Sequence, residues 1–228
     1  MSNEADTYKN AAGSAAAELV EEGMVIGLGT GSTAAFLVKA LARRVQAGLR
    51  ITGAVPTSQE TALLAESLGI PLVSLADYPV LDLAIDGADE IDPHLNLIKG
   101  GGGALLREKI VATAARSFVV ISDASKLVPR LGTHCALPVE VVPFALIAVQ
   151  RHLTALGAQV QPRAREQQLF VTDNQNYILD CRFPAGISDP EKLQAQIRAI
   201  VGVVEHGLFL GIAREALVAG PGGLQRLL

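Results

Sequence analysis

The chain has 228 residues, half of them hydrophobic and 18% charged, with a formal net charge of −4. This length accommodates one large domain or two modest ones. The absence of a basic tract, with only 4% aromatic residues, argues against a nucleic-acid partner. No apolar run approaches the ~18 residues of a membrane span, and no signal pattern precedes the first helix. Cys135 and Cys181 lack metal-ligand spacing and fit a reducing compartment, so we expect a cytoplasmic protein without zinc.

The first 132 residues alternate between buried strands and amphipathic helices. Strands that alternate with helices of about 10–15 residues imply a doubly wound, mostly parallel sheet of the Rossmann-like α/β class. A capping box of Thr57 and Glu60 is expected to open the third helix. The predicted helices cover 5–22, 33–47 and 57–68, and the predicted strands cover 24–28, 50–55, 71–75, 81–85 and 117–121.

The pattern changes after about residue 132. Short strands are predicted over 139–142, 158–161, 169–172, 177–181 and 203–206, with helices over 143–156 and 190–200. This order resembles a small α+β domain of the ferredoxin type. We therefore predict a Rossmann-like domain of residues 1–132 plus 207–228, whose sheet the tail at 208–217 rejoins. The inserted domain, 133–206, has no convergent polar motif, and we expect it to mediate assembly.

A glycine-rich loop at 27–33 lies where the first strand meets a helix. A dinucleotide fingerprint would need glycine at position 32 and an acid about twenty residues later, and both are missing, so a nicotinamide cofactor is not expected. Backbone N–H groups and the hydroxyls of Thr30, Ser32 and Thr33 at a helix N-terminus suit a single phosphate. The alternative is an ordinary tight turn in which Ser32 or Thr33 is the N-cap.

The strand at 81–85 runs directly into an acidic turn. Asp86, Asp89, Glu90 and Asp92 follow its carboxyl end, which is where open α/β sheets place their ligands. Gly87 favours the close approach of a small ligand to the backbone. Two alternatives remain, a solvated acidic turn and a Mg²⁺ site built from hard carboxylate oxygens.

Lys99 precedes four consecutive glycines, 100–103, and a helix-forming segment that carries Glu108. Each glycine costs backbone entropy on folding, so such a run favours close approach of the backbone to an anion. Glu108 shares a helical row with apolar residues, which suits a general base that enters a pocket; alternatively, it is a surface glutamate. Lys126 follows the strand at 117–121 and is expected at the same edge of the sheet.

These segments together resemble the family of ribose-5-phosphate isomerase, type A. The matching segments are GLGTGSTA (27–34), IDGADEID (85–92), IKGGGGA (98–104), REKI (107–110) and SDASK (122–126). The segments VTDN (171–174) and HGLF (206–209) match more weakly. Because the motifs occur in order along essentially the whole chain, the resemblance is specific.

The resemblance implies interconversion of D-ribose 5-phosphate and D-ribulose 5-phosphate in the non-oxidative pentose phosphate pathway. It implies that Glu108 moves a proton between C2 and C1 through an enediolate, that Asp86 and Asp89 contact sugar hydroxyls and assist ring opening, and that Lys99 stabilises the oxyanion. The family needs no metal or organic cofactor and forms homodimers or homotetramers. The implied substrate-binding residues are Thr30, Gly31, Ser32, Thr33, Asp86, Gly87, Ala88, Asp89, Lys99, Gly100, Gly101, Gly102 and Lys126.

Two other classes of function stay open at this point. A non-catalytic sugar-phosphate sensor of the same fold would keep the phosphate loops without needing Glu108, and would normally carry a DNA-binding module, which is not apparent here. A related acyl-CoA transferase would form a covalent thioester on a glutamate, and an amino-sugar-phosphate deaminase would release ammonia. The four histidines, His94, His134, His152 and His206, show no triad or ligand spacing.

Overall fold

The structure is a computed structural model that describes residues 4–228. Its helices are α1 (Glu4–Ala17), α2 (Ser32–Gln46), α3 (Gln59–Ser67), α4 (Leu105–Ala114), α5 (Leu146–Ala155) and α6 (Pro190–Arg198), with 3₁₀ helices at Ala124–Lys126 and Pro143–Ala145. Its strands are β1 (Val25–Leu28), β2 (Gly53–Pro56), β3 (Leu83–Gly87), β4 (Glu90–Ile91), β5 (Leu97–Ile98), β6 (Phe118–Asp123), β7 (Leu137–Val141), β8 (Gln159–Pro162), β9 (Ala164–Arg165), β10 (Gln168–Leu169), β11 (Tyr177–Arg182), β12 (Val203–His206), β13 (Leu208–Phe209), β14 (Glu215–Gly220) and β15 (Gly223–Leu227). No helix in this range is long and apolar enough to cross a membrane.

The chain forms two compact units. The first contains the chain up to Ala88 together with Arg107–Lys126 and Gly211–Leu228, and the second contains Asp89–Leu106 and Leu127–Leu210. The second unit includes 89–106 because β4 and β5 form a three-stranded sheet with β13. The predicted domain boundaries at 132 and 206 stay a prediction, and these compact units divide the chain at other points.

A six-stranded sheet with the order β15-β14-β6-β3-β1-β2 runs through the first unit. Strands β2, β1, β3, β6 and β14 are parallel, and β15 is antiparallel at one edge. The predicted doubly wound, mostly parallel α/β sheet is therefore confirmed. The chain goes from β1 to β2 on one side and then to β3 on the other. This change of direction creates a switch point, where ligands of such sheets bind, at the carboxyl ends of β1 and β3.

Small side chains let the helices of the first unit approach one another and the sheet closely. Ala12 and Ala16 of α1 are buried in one cluster with Leu37 and Leu41 of α2 and with strand residues. Val111 of α4 lies against Gly27 of β1, where an added Cβ would overlap the Val111 side chain. Glycine at position 27 is thus required by packing, because interiors have no room for an extra methyl group without strain.

The edges of this sheet are formed by β2 and β15. Strand β2 ends at Pro56. On its outer side, β2 is joined by an isolated parallel bridge between Ala54 and Leu72. Strand β15 is mostly exposed, and Arg226 on it is paired with Glu215 of β14.

The second unit contains a β7-α5-β8-β11-α6-β12 segment whose sheet has the order β12-β7-β11-β8, with antiparallel neighbours. This is the ferredoxin-type arrangement predicted from the sequence. Val149 and Leu153 of α5 pack with Leu193 and Ile197 of α6 in one apolar cluster. Asp189 is the N-cap of helix α6, because its side chain accepts a hydrogen bond from Lys192 N at 3.0 Å.

Several predicted elements differ from the structure. Helix α1 ends at Ala17 rather than at residue 22. The predicted capping box was wrong, since Ser58 is the N-cap of α3 and its Oγ accepts a hydrogen bond from Thr61 N at 3.0 Å. The predicted strand at 71–75 is reduced to the single bridge at Leu72.

Two predictions about the second half were partly wrong. The predicted strand at 169–172 is replaced by the β9–β10 hairpin and an isolated bridge between Val171 and Tyr177. Of the tail, β14 rejoins the first sheet beside β6, but β13 pairs with β5. Short apolar pairs such as Leu208 and Phe209 carry no signal of which sheet they join.

We expect Gly27→Ala to destabilise the protein by about 1–3 kcal/mol, because the new methyl group overlaps Val111 and lies 3.0 Å from Ala84 Cβ. The urea-unfolding midpoint measures this effect. Gly222→Ala is the matched control, since its Cβ would have no heavy atom closer than 3.8 Å. Equal midpoints for the two variants would contradict the close packing of α4 on β1.

Candidate active site

Asp86 connects the loop after β1 to the end of β3, at the switch point of the first unit. It lies near the end of β3, is buried, and its Oδ1 accepts hydrogen bonds from Thr30 N at 3.0 Å and Gly87 N at 2.7 Å. A Cβ on Gly29 would overlap the Asp86 side chain. Glycine at position 29 therefore lets the loop after β1 reach this carboxylate, whose orientation is set by two backbone donors.

The side chain of Thr30 joins the same loop to the start of α3. Its Oγ1 lies 2.6 Å from Thr57 Oγ1, 2.8 Å from Ser58 Oγ and 3.2 Å from Thr61 Oγ1. We call these four residues the hydroxyl cluster. Sequence reasoning assigned Thr57 to a cap and did not find the cluster, whose only signal is the density of hydroxyl residues after β2.

Helix α2 begins at the switch point without a capping side chain. Its N-cap is Gly31, with φ of 101°, and no side-chain hydrogen bond is made there. The alternative in which Ser32 or Thr33 is the N-cap was therefore wrong. Gly31 and Ser32 are exposed. The first N–H groups of a helix carry partial positive charge, so this end of α2 is suited to an anion such as phosphate.

Glu108 lies in the first turn of α4 and is 5% exposed, so the alternative of a surface glutamate was wrong. Residues three apart share a helix face, and Val111 of that face packs against Gly27 in β1. Glu108 is therefore on the sheet-facing side of α4, one turn nearer its N-terminus. Lys126 is partly exposed in the 3₁₀ helix directly after β6, the strand that pairs with β3.

A second group of predicted site residues lies in the second unit. Asp89 Oδ2 accepts a hydrogen bond from Gly101 N at 2.7 Å, and Gly103 N donates to Gly100 O at 3.0 Å. Gly100 has φ of 98°, a conformation that favours glycine. The glycine run thus forms a turn beside the Asp89 carboxylate.

Lys99 is 2% exposed, unlike an ordinary surface lysine. Its backbone N donates to Gly207 O at 2.9 Å, and its Nζ lies 5.5 Å from the centroid of the Phe209 ring. The ring face attracts the ammonium group. The HGLF segment matched weakly in the sequence, and here it supplies both contacts to the lysine.

The remaining acids of the motif have structural tasks. Glu90 is fully buried; its Oε1 accepts from His134 N at 2.6 Å and Cys135 N at 2.7 Å, and its Oε2 accepts from Gly132 N at 2.6 Å. Asp92 Oδ1 accepts from the backbone of His94 at 2.8 Å. Across residues 4–228, no group of three or more His, Cys, Asp or Glu side chains is placed to hold a metal ion.

Other potential nucleophiles and bases are engaged in the core of the second unit. Burial, and secondarily the charge of Asp180, raises the pKa of the Cys181 thiol to about 12. This thiol stays protonated at neutral pH and is a poor nucleophile. His206 is buried, and its Nδ1 accepts a hydrogen bond from Leu208 N at 3.2 Å.

The first unit thus has the form typical of doubly wound α/β enzymes, whose ligands bind at a switch point of the sheet. The model of the family "Ribose 5-phosphate isomerase A (phosphoriboisomerase A)" matches residues 53–223, which is most of the chain. This chain belongs to that family. The resemblance inferred from the motifs is therefore confirmed.

Full-length relatives agree with the family model. The ribose-5-phosphate isomerase A of Synechococcus sp. (strain JA-3-3Ab) is 56% identical over 226 residues, which are 98% of this chain and 97% of that protein. The solved structure of ribose 5-phosphate isomerase from Plasmodium falciparum is 38% identical with a TM-score of 0.94, covering 97% of this chain and 98% of that one. The structure of ribose 5-phosphate isomerase A from Methanocaldococcus jannaschii is 42% identical with a TM-score of 0.92 at the same coverage.

We expect Glu90→Gln to lower stability by about 1–3 kcal/mol, because an amide NH₂ would replace one oxygen and face a backbone donor. The urea-unfolding midpoint measures the loss. Glu66→Gln, on the exposed face of α3, makes the same chemical change without buried partners and should leave the midpoint unchanged. Indistinguishable midpoints would mean that the hydrogen bonds of Glu90 do not anchor the loop at 132–135.

Proposed function

We propose that this chain interconverts D-ribose 5-phosphate and D-ribulose 5-phosphate, as an aldose–ketose isomerase of the non-oxidative pentose phosphate pathway. Membership of the isomerase family supports this activity over the sugar-phosphate sensor. The observation that carries the proposal is Glu108, a buried carboxylate at the start of α4. A sensor has no need for such a base, whereas proton transfer at carbon requires one.

The proposed reaction begins from the open-chain aldose. The Glu108 carboxylate removes the proton from C2, which gives an enediolate, and returns a proton to C1 as the hydroxyl proton moves from O2 to O1. Lys99 would stabilise the negative charge that develops on the enediolate oxygen. A positioned general base of this kind contributes about 10²–10⁴ in rate.

We propose that Asp86 and Asp89 contact the sugar hydroxyls and assist opening of the ring. Two backbone donors orient the Asp86 carboxylate, and Gly101 N–H orients that of Asp89. A fixed carboxylate loses little freedom when it binds a hydroxyl, which favours this role. Gly87, Ala88, Gly100, Gly101 and Gly102 are proposed as further contacts to the substrate.

The proposed phosphate anchor is the N-terminus of α2, formed by Thr30 to Thr33, together with Lys126. Support comes from the uncapped first turn and the exposure of Gly31 and Ser32. A solved D-ribose-5-phosphate isomerase, 39% identical with a TM-score of 0.95 and 99% coverage of both chains, is in complex with phospho-erythronic acid. We propose that this chain likewise binds a phosphorylated sugar, and that phosphate binding positions the reacting carbons.

We also propose a cytoplasmic homodimer or homotetramer that works without a cofactor. Free thiols at Cys135 and Cys181 support a reducing compartment. Phe144, Ile147 and Val201 expose large apolar surfaces on the second unit, and such surfaces are common at interfaces between subunits. The proposed role of this unit in assembly rests on them.

The test of the activity compares the wild-type protein with Glu108→Gln, both treated with EDTA, in conversion of ribose 5-phosphate to the ketose. We expect the wild type to remain active and the variant to lose about 10²–10⁴ in kcat, because the base is lost. Glu66→Gln is the control for the chemical change at an exposed site. Ketose formation by Glu108→Gln at the wild-type rate would refute the assignment of the base, and none from the wild type would refute the isomerase.

We expect Ser32→Asp to raise KM for ribose 5-phosphate at least about tenfold, because a carboxylate at this helix end repels the phosphate. The same substitution complements the helix dipole, so the unfolding midpoint should not fall. The inhibition constant of inorganic phosphate, as a competitive inhibitor, should rise by a similar factor to KM. Ser67→Asp, at the exposed C-terminal end of α3, is the control for KM, which it should leave unchanged. An unchanged KM would place the phosphate elsewhere.

A further inference from the structure

Arg163 makes a two-pronged ion pair inside the second unit. It follows β8, and its guanidinium donates from Nε to Asp180 Oδ2 at 2.9 Å and from Nη2 to Asp180 Oδ1 at 2.5 Å. The arginine side chain is only 16% exposed. Two parallel charge-assisted hydrogen bonds set the plane and direction of the guanidinium group.

The remaining nitrogen of the same guanidinium is directed to the glycine run. Arg163 Nη1 donates to Gly100 O at 2.8 Å and to Gly101 O at 3.1 Å. Gly100 O also accepts the turn hydrogen bond from Gly103 N at 3.0 Å. Asp180 therefore orients the arginine, and the arginine holds the backbone of two glycines.

The glycine run needs such restraint because glycines lose more conformational freedom on folding than other residues. Asp89 and Phe170 also contact the run. Gly101 N donates to Asp89 at 2.7 Å, and the Phe170 ring lies so close to Gly103 that a Cβ there would overlap it. The guanidinium carbon of Arg163 is 5.9 Å from the centroid of that ring. The arginine thus contacts the run directly and also packs near the ring beside it.

We propose that Arg163, oriented by Asp180, is a positioning residue that keeps the glycine run and the Asp89 carboxylate in the geometry used by the reaction. The proposal rests on the proposed function, because it assigns Asp89 and the run to substrate binding. Arg163 acts on the main chain and is not itself a catalytic residue. Lysine is a poor replacement, since an ammonium group lacks the planar fork that holds Asp180 and two carbonyl groups at once.

The test measures kcat, KM and the inhibition constant of inorganic phosphate for Arg163→Met, Arg163→Lys and Asp180→Asn. We expect kcat to fall about 10–100-fold in Arg163→Met, because small misplacements of reacting groups cost this much. Arg163→Lys should recover little of the loss. The inhibition constant of phosphate should stay within twofold of the wild type, since α2 is unchanged. Adding Asp180→Asn to Arg163→Met should lower kcat no further.

Arg165→Met is the matched control, because Arg165 also lies over the Phe170 ring, at 5.6 Å, but bonds neither Asp180 nor the glycines. It should keep the wild-type kcat. A folded Arg163→Met with kcat within twofold of the wild type would overturn the proposal. A lower unfolding midpoint with unchanged kcat would also overturn it, because that is a structural role alone. If Arg163→Met does not fold, the kcat of Asp180→Asn is used instead. A value within twofold of the wild type would overturn the proposal.

Hydrogen exchange separates failure of this inference from failure of the proposed function. The amides of Gly101 and Gly103, which donate hydrogen bonds to Asp89 and to Gly100 O, should exchange at least tenfold faster in Arg163→Met than in the wild type, whatever the reaction is. Unchanged exchange would overturn the positioning role even in an active enzyme. A wild type that forms no ketose would refute the isomerase and, with it, the catalytic part of the inference.

Discussion

The hydrogen bonds accepted by the Asp86 carboxylate hold together the loops at the switch point of the first unit. It accepts backbone hydrogen bonds from the loop after β1, at Thr30, and from its own strand end, at Gly87. The glycine at position 29 permits this approach. Thr30 in turn extends the connection to α3 through the hydroxyl cluster. The N-terminus of α2 is therefore held in place by polar contacts, which keeps its first N–H groups available to an anion.

Acids that are close in sequence have different tasks because their surroundings differ. Glu90 is enclosed by three backbone donors of one loop, and its charge stabilises that loop. Asp89, the preceding residue, accepts from Gly101 in the glycine run. In an extended chain, neighbouring side chains point to opposite sides. One residue of sequence thus separates a structural carboxylate from one proposed to bind substrate.

The sequence predicted most of the fold because strand and helix periods are local signals. It also predicted the family, since glycines such as Gly27 and Gly29 and the acids around Asp86 recur in fixed motifs. It did not predict the partners of Glu90 or the pair of Arg163 and Asp180. The partners of Glu90 lie at least 42 positions from it along the chain. Arg163 and Asp180 are 17 positions apart. No local pattern marks them, because they arise only when distant segments pack together.

The two edge strands of the six-stranded sheet, β2 and β15, bear on how the protein avoids aggregation. An open strand edge presents unpaired backbone groups to which another chain can add. Strand β2 ends in Pro56, which has no N–H to donate, and the opposite edge, β15, carries the charged Arg226. Proline and charged residues on edge strands both oppose hydrogen-bonded pairing with the edge of another molecule. Pro56 at one edge and Arg226 at the other therefore both oppose the addition of a strand from another molecule.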